Sequence, residues 1–142
     1  AIRSAITATG NSEFVSKRNH VFEEKLPIVM DNCFSKLKKA KDVRTALVAI
    51  GLEAELARAS KKKVRAGVGK TRGRKYRTRK GPIIIVAETS EISKSAKNIA
   101  GVDVVQLKDL NVFVLAPGGQ AGRLAIWTVD AIKKLGDEKL YT

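Results

Sequence analysis

A run of twenty residues, 61–80, constrains the fold of this chain more than any other feature. It reads KKKVRAGVGKTRGRKYRTRK and holds 11 of the 28 lysines and arginines without one acidic residue. The other 122 residues carry 17 basic and 14 acidic side chains, a net charge of only +3. Neither face of such a run can be buried as a strand, and as a helix it would be weakened by about 1 kcal/mol at each of its three glycines. We expect a flexible or extended arm on a nearly neutral body.

The net charge of +14 and the pI near 10.2 indicate a polyanionic partner. Nucleic acid, an acidic membrane surface and an acidic protein all fit that description. The longest apolar runs have about five residues, as in Ile83 to Ala87, against the roughly 20 that cross a bilayer. No secretory signal is visible in residues 1–10. Nucleic acid is therefore the favoured partner, and no membrane association is expected.

The residue types of the basic insert suit RNA. Arginine offers a planar fork of donors to phosphate, and glycine lets the backbone approach closely. Tyr76 could stack on an unpaired base or lie against the protein's own surface. The alternative for the whole run is a solvated basic face or a nuclear-targeting tract. The predicted RNA-binding residues of the insert are Lys61, Lys62, Lys63, Arg65, Lys70, Arg72, Arg74, Lys75, Tyr76, Arg77, Arg79 and Lys80.

A second glycine-rich segment, residues 116–123, reads APGGQAGR. Pro117 and Gly118 mark a turn there. The segment could simply link two elements, with Arg123 at the edge of a sheet. It could also contact RNA through its backbone and side chains, and on that interpretation Gln120 and Arg123 join the predicted RNA-binding residues.

Elsewhere strand and helix signals alternate, which predicts a mainly parallel sheet of about four strands with helices on its faces. The β-branched run IIIVA after Gly81-Pro82 is typical of a strand covered on both sides. Ser90 is predicted to cap the helix that follows. Residues 109–115 are ambiguous, because both of their alternating sides are apolar. We expect one domain, 1–142, with its insert at 61–80. Strands are predicted at 26–30, 83–87, 102–107 and 124–127, and helices at 1–8, 12–18, 40–52, 53–60, after Ser90 and up to Leu135.

The sequence contains little that indicates an enzymatic site. Gly69-Lys70-Thr71 resembles the end of a phosphate-binding loop, but Val64 stands where the first glycine should be and no strand precedes it. The single cysteine, Cys33, is expected to be a buried apolar residue, and His20 has no metal-binding neighbours in sequence. Asp31 is expected to cap a helix or to lie at the surface, and Trp127 is expected to be in the core. No catalytic residue, metal, cofactor or small-molecule substrate is predicted.

Four separated blocks of this sequence resemble the large-subunit ribosomal protein four family, in its archaeal and eukaryotic branch. They are AIRSAITAT, KKKVRAGVGKTRGRKYRTRKGPIIIVAE, AKNIAGVDVVQLKDLN and LAPGGQAGRLAIWT, in that order. Ala100 stands where the family has proline, which should loosen that turn slightly.

The resemblance implies a three-layer α/β/α domain that serves as a structural constituent of the large ribosomal subunit. Its expected partners are large-subunit ribosomal RNA and neighbouring ribosomal proteins, in cytoplasmic ribosomes. In the family a loop that reaches the peptide exit tunnel precedes the AIRSA helix, so this chain resembles the C-terminal half to two-thirds of a longer protein without that loop. The alternatives are a non-ribosomal RNA- or DNA-binding regulator and, less in keeping with the sequence, a nucleotide-dependent enzyme.

Overall fold

A four-stranded parallel sheet forms the centre of the protein. The computed structural model describes residues 1–138 and Tyr141, so Lys139, Leu140 and Thr142 of the predicted domain lie outside the described residues. The strands of the sheet are Ile28–Met30 (β1), Ile83–Val86 (β4), Asp103–Gln106 (β5) and Ala125–Thr128 (β6), while β2 and β3 belong to the basic insert. The four strands occur in the order β1-β6-β4-β5, and all three pairings are parallel. The predicted parallel α/β fold is confirmed.

Seven α-helices surround the sheet within the described residues, and short 3-10 helices occupy several connections. The α-helices are Ile2–Thr9 (α1), Ser12–Lys17 (α2), Ala40–Ala49 (α3), Glu53–Ser60 (α4), Ile92–Lys97 (α5), Val112–Leu115 (α6) and Val129–Asp137 (α7). The 3-10 helices are Asn32–Lys36, Val68–Lys70, Leu107–Asp109 and Pro117–Gly119.

Each face of the sheet is covered by its own apolar cluster. Ile84 packs with residues of α3, α4 and α5, whereas its neighbours Ile83 and Ile85 pack with residues of α1, α6 and α7. Successive side chains of a strand point to opposite faces, so a strand covered on both sides must be apolar throughout. This explains the unbroken IIIV run and gives the three layers. Trp127 is buried in the second cluster, as predicted.

The basic insert forms a short hairpin. Lys63–Val64 (β2) pairs antiparallel with Tyr76–Arg77 (β3), and the amide of Arg65 donates to the carbonyl of Lys75 at 2.9 Å. Positive φ angles at Gly67 (79°) and Gly73 (74°) allow the chain to turn. The insert is therefore not the plain extended arm expected from its charges. Backbone hydrogen bonds suffice for a hairpin, and they leave every side chain of the insert in solvent.

Two local expectations are wrong. Cys33 is exposed rather than buried, because it lies in the 3-10 helix that follows β1. Ser90 does not cap α5, since Glu91 occupies the N-cap position without a side-chain hydrogen bond. Asp31 does cap a helix: its Oδ1 accepts from the amide of Asn32 at 2.8 Å.

Gly122 should tolerate no side chain. Its φ is +88°, and a Cβ atom there would overlap the backbone carbonyl of Phe14. We expect Gly122→Ala to cost about 1–2 kcal/mol for the left-handed backbone and about 1–3 kcal/mol more for the overlap. Gly118→Ala is the matched control, because φ is +79° there but no atom lies within 4 Å of the added Cβ. Urea unfolding measures both, and equal losses would contradict the close approach to Phe14.

Candidate nucleic-acid interface

A cleft of about 650 Å³ lies between the two ends of the basic insert, residues 61–63 and 77–80, and the glycine-rich loop, residues 116–123. These two ends are called the root of the hairpin. The cleft brings together residues predicted from two separate segments of the sequence. These are Lys61, Lys63, Arg77, Arg79, Lys80 and Gln120. Arg18 and Arg58 also line the cleft, and no acidic residue does so within the described part of the chain.

The other predicted residues of the insert do not line the cleft. Lys62, Arg65, Lys70, Arg72, Arg74, Lys75 and Tyr76 are exposed on the hairpin and beside it. Tyr76 is 52% exposed, and the Lys75 ammonium lies 5.6 Å from the centroid of its ring. That distance is within the range of a cation–π contact.

Arg123 was predicted to contact RNA, but in the structure it is a buried cation paired within the protein. Its side chain is 1% exposed. It donates to the carbonyls of Gly81 (3.0 Å) and Val114 (3.0 Å) and to Asp103 Oδ2 (2.6 Å). Burial lowers the pKa of Arg123, and Asp103 only partly offsets that effect. A buried charge must be paired in this way, so the side chain that ties the loop to the sheet is not free to reach RNA.

Asp103 serves two cations at the side of the cleft. Besides Arg123 it accepts from Lys80 Nζ at 2.9 Å. Partial burial alone would raise the pKa of Asp103, but the hydrogen bonds and charges of Lys80 and Arg123 outweigh it and lower the pKa below its ordinary value. The carboxylate therefore stays ionised and holds both cations in place.

Arg58, which also lines the cleft, is held by Glu55. Arg58 Nε donates to Glu55 Oε2 at 2.7 Å, and Nη2 donates to Glu55 Oε1 at 2.6 Å and to the carbonyl of Lys80 at 2.8 Å. Together with Arg123 on the carbonyl of Gly81, this fixes two successive carbonyls at the point where the hairpin rejoins the sheet. The root of the hairpin is thus fixed although its side chains are in solvent.

Arg18 positions the glycine-rich loop. Its guanidinium donates to the carbonyl of Pro117 at 2.6 Å and to that of Gln120. Burial lowers the pKa of Arg18, and the nearby charges of Arg123 and Arg58 lower it further. Arg18 thus lies near two other cations, and its hydrogen bonds to the two loop carbonyls hold it there against their repulsion.

Arg18, Arg58 and Glu55 were absent from the predicted site. The sequence did carry a signal for Arg58 and Glu55. Glu55 shares the buried side of α4 with Leu56 and Ala59, and Arg58 follows it at i+3. Nothing in the sequence near Arg18 indicates its partners, which lie 99 and 102 residues away.

The location of the cleft differs from that of an enzyme site on a doubly wound sheet. Lys80 and Gln120 precede β4 and β6, so the cleft lies at the amino ends of the parallel strands. Ligands of doubly wound enzymes bind at the carboxyl ends. Among residues 1–138 and Tyr141, no group of three or more His, Cys, Asp or Glu side chains is arranged to hold a metal ion. Over the same residues no helix has the length and apolar character needed to cross a membrane.

Comparison with known proteins places the chain in one family. A family model described as the ribosomal protein L4/L1 family matches residues 1–138. The large ribosomal subunit protein uL4 of Archaeoglobus fulgidus is 47% identical over 138 residues, covering 96% of this chain and 55% of that protein. The uL4 protein of Methanosphaera stadtmanae is 47% identical over 140 residues, and that of Nanoarchaeum equitans is 44% identical over 142. These alignments cover 96% and 99% of this chain, and 54% and 53% of the two relatives.

The chain spans about half the length of the curated relatives it matches. The family model nevertheless covers almost all of the chain, and it includes the hairpin, the glycine-rich loop and the cleft between them. The resemblance first noted in four sequence blocks is therefore confirmed, and the chain belongs to the ribosomal protein L4/L1 family.

Proposed function

We propose that this chain is a structural constituent of the large ribosomal subunit that binds and orders large-subunit ribosomal RNA. The observation that carries the proposal is the cleft at the root of the hairpin. Seven cationic side chains line it, and no acidic residue lines it in the described part of the chain: Arg18, Arg58, Lys61, Lys63, Arg77, Arg79 and Lys80. Only Arg58 and Lys80 among these seven pair with a carboxylate in the described structure, those of Glu55 and Asp103, so the cleft keeps a net positive charge. The names of the relatives as large-subunit proteins support the same role.

The cleft and the exposed part of the hairpin make different contacts with the RNA. The cleft holds an RNA backbone segment between the hairpin root and the loop at Gln120. The exposed cations farther along the hairpin neutralise more distant phosphates, and Tyr76 stacks on an unpaired base. Compared with the residues predicted from the sequence, the proposed RNA contacts include Arg58 and omit Arg123. The others are unchanged: Lys61, Lys62, Lys63, Arg65, Lys70, Arg72, Arg74, Lys75, Tyr76, Arg77, Arg79, Lys80 and Gln120.

The side chains act by positioning and charge neutralisation, and no catalysed reaction is proposed. Residues 1–142 act as one domain of a longer family member, within cytoplasmic ribosomes and beside other ribosomal proteins.

Competition binding tests this function. The chain is titrated with transcribed archaeal large-subunit RNA, small-subunit RNA and duplex DNA at about 0.15 M salt, where non-specific attraction is partly screened. We expect large-subunit RNA to bind tighter than the other two by roughly a thousandfold, the lower end of the ratio of specific to non-specific affinity in protein–DNA complexes. Equal affinity for all three would favour a general nucleic-acid binder over a ribosomal constituent.

A further inference from the structure

We propose that Arg58 is a preformed phosphate-binding residue in the cleft, held in its binding orientation by the buried carboxylate of Glu55. The ligand is a phosphodiester group of the RNA backbone. The inference rests on the proposed function and specifies one contact within it. Arg58 lies outside the basic run, and its position in the fold rather than its sequence context assigns the role.

The hydrogen bonds of Arg58 leave one side of the guanidinium unused. Nε and Nη2 are taken by the carboxylate of Glu55 and the carbonyl of Lys80, at 2.6 to 2.8 Å. Nη1 has no hydrogen-bond partner in the described structure, and it is not among the buried atoms that lack one. Since Arg58 lines the cleft, the two N–H groups of Nη1 are available to a ligand there.

Arg58 is the only cleft-lining residue to which Glu55 is hydrogen-bonded in the described structure. The side chain of Glu55 is 0% exposed, and it lies under Arg58, which is itself only 12% exposed. Its two oxygens also accept from the amide of Val21 at 3.0 Å and contact His20 Nδ1 at 2.6 Å. Burial alone would raise the pKa of Glu55, but the hydrogen bonds from Arg58, His20 and Val21 lower it below its ordinary value. The carboxylate is therefore a fixed anion anchored to two other segments of the chain.

A fixed guanidinium suits phosphate for two reasons. Its N–H groups form charge-assisted hydrogen bonds to phosphate oxygens, which are stronger than neutral ones. Its rotamer is already set, so binding does not incur the entropy loss that ordering an exposed arginine would cost. Among the lysines and arginines of residues 61–80, only Lys80 pairs with a carboxylate in the described structure, and its side chain is 55% exposed. The side chain of Arg58 is 12% exposed and is held by two oxygens of one carboxylate, so Arg58 differs from these cations in order rather than in charge.

The sign of one substitution separates orientation from charge. Glu55→Gln removes an acid from a basic protein, so simple electrostatics predicts tighter RNA binding. If Glu55 orients Arg58, the same change should weaken binding by about tenfold, the equivalent of one charge-assisted hydrogen bond. Glu53→Gln is the matched control, because it makes the same charge change two residues away on α4 at an exposed position. We expect that control to bind as well as the original chain or slightly tighter.

A second variant decides the matter if Glu55→Gln fails to fold in a thermal melt. Arg58→Gln keeps an amide that can donate to Glu55 but removes the charge and Nη1. It should weaken binding by about tenfold and reduce the log–log salt slope by nearly one unit, as loss of one phosphate contact does. Arg44→Gln, exposed on α3 and outside the cleft, makes the same charge change and should do neither.

In the Arg58→Gln background, Glu55→Gln should have no further effect on affinity, because a positioning residue has nothing left to position. Arg58→Gln with the original affinity and salt slope would overturn the proposal, as would a folded Glu55→Gln that binds RNA more tightly. Either result leaves the function intact if the unaltered chain still prefers large-subunit RNA. Loss of that preference would instead remove the function itself.

Discussion

Replacing Arg72, Arg74, Arg77 and Arg79 together by alanine is expected to remove most of the affinity for RNA. It should also flatten the log–log dependence of affinity on salt by about 3 to 4 units, because each phosphate contact contributes roughly 0.7 to 0.9. All four side chains are exposed, and Arg77 and Arg79 line the cleft. Titrations of large-subunit RNA at several salt concentrations measure the slope and the affinity together.

A control of equal charge separates the hairpin from the net charge of the molecule. Four exposed cations lie on the 3-10 helix after β1, on the connection that follows it and on α3: Lys36, Lys39, Lys41 and Arg44. Replacing them by alanine also removes four positive charges. Because these residues lie outside the cleft and the hairpin, we expect only a small change in slope. If both quadruple variants lose the same affinity, the protein attracts RNA through its overall charge and the hairpin has no special role. Thermal melts should be nearly unchanged in the first variant, since its four side chains contact water.

The sheet could be predicted from sequence because burial on two faces leaves a clear pattern. The IIIV run can exist only where helices cover both sides of a strand, and Ile83 and Ile84 indeed belong to opposite clusters. Helix α4 was predicted at its observed bounds, and α3 ends three residues before the predicted end. These features depend on local spacing, which a sequence records directly.

The site could be predicted only in part because its order depends on distant partners. The cationic run identified the hairpin residues, but the burial of Arg123 depends on Asp103, twenty residues earlier, and on carbonyls of other segments. A lone arginine before an apolar strand has the same sequence pattern whether it faces solvent or is paired inside. The hairpin was missed for a related reason: its backbone pairing leaves no side-chain periodicity to detect.

The fixed root explains how an exposed hairpin can present its charges at a defined place. Arg58 and Arg123 bind the carbonyls of Lys80 and Gly81, and each arginine is held by a carboxylate. Gly81 and Gly101 approach closely beside them, since the Gly81 amide donates to the Gly101 carbonyl at 2.8 Å. The sheet therefore positions a cationic element that has no apolar face of its own. It follows that damage to the sheet should abolish RNA binding even when every hairpin residue is intact.

Ile84→Asp is expected to unfold the protein. Ile84 is fully buried in β4 and lies between Val104 of β5 and Ile126 of β6. The change removes about 2–5 kcal/mol of apolar packing and places an unpaired carboxylate where no cation is available, which costs several kcal/mol more. Small domains have a total stability of only about 5–15 kcal/mol, so most or all of it should be lost.

Val29→Asp is the matched control, because Val29 is also on a strand, β1, but is 46% exposed. This substitution should lower the stability by no more than about 1 kcal/mol. Circular dichroism melts of both variants, with RNA binding measured in parallel, make the comparison. An Ile84→Asp protein that melts at the original temperature would mean that water reaches β4, and neither the three-layer core nor the fixed hairpin root could then be correct.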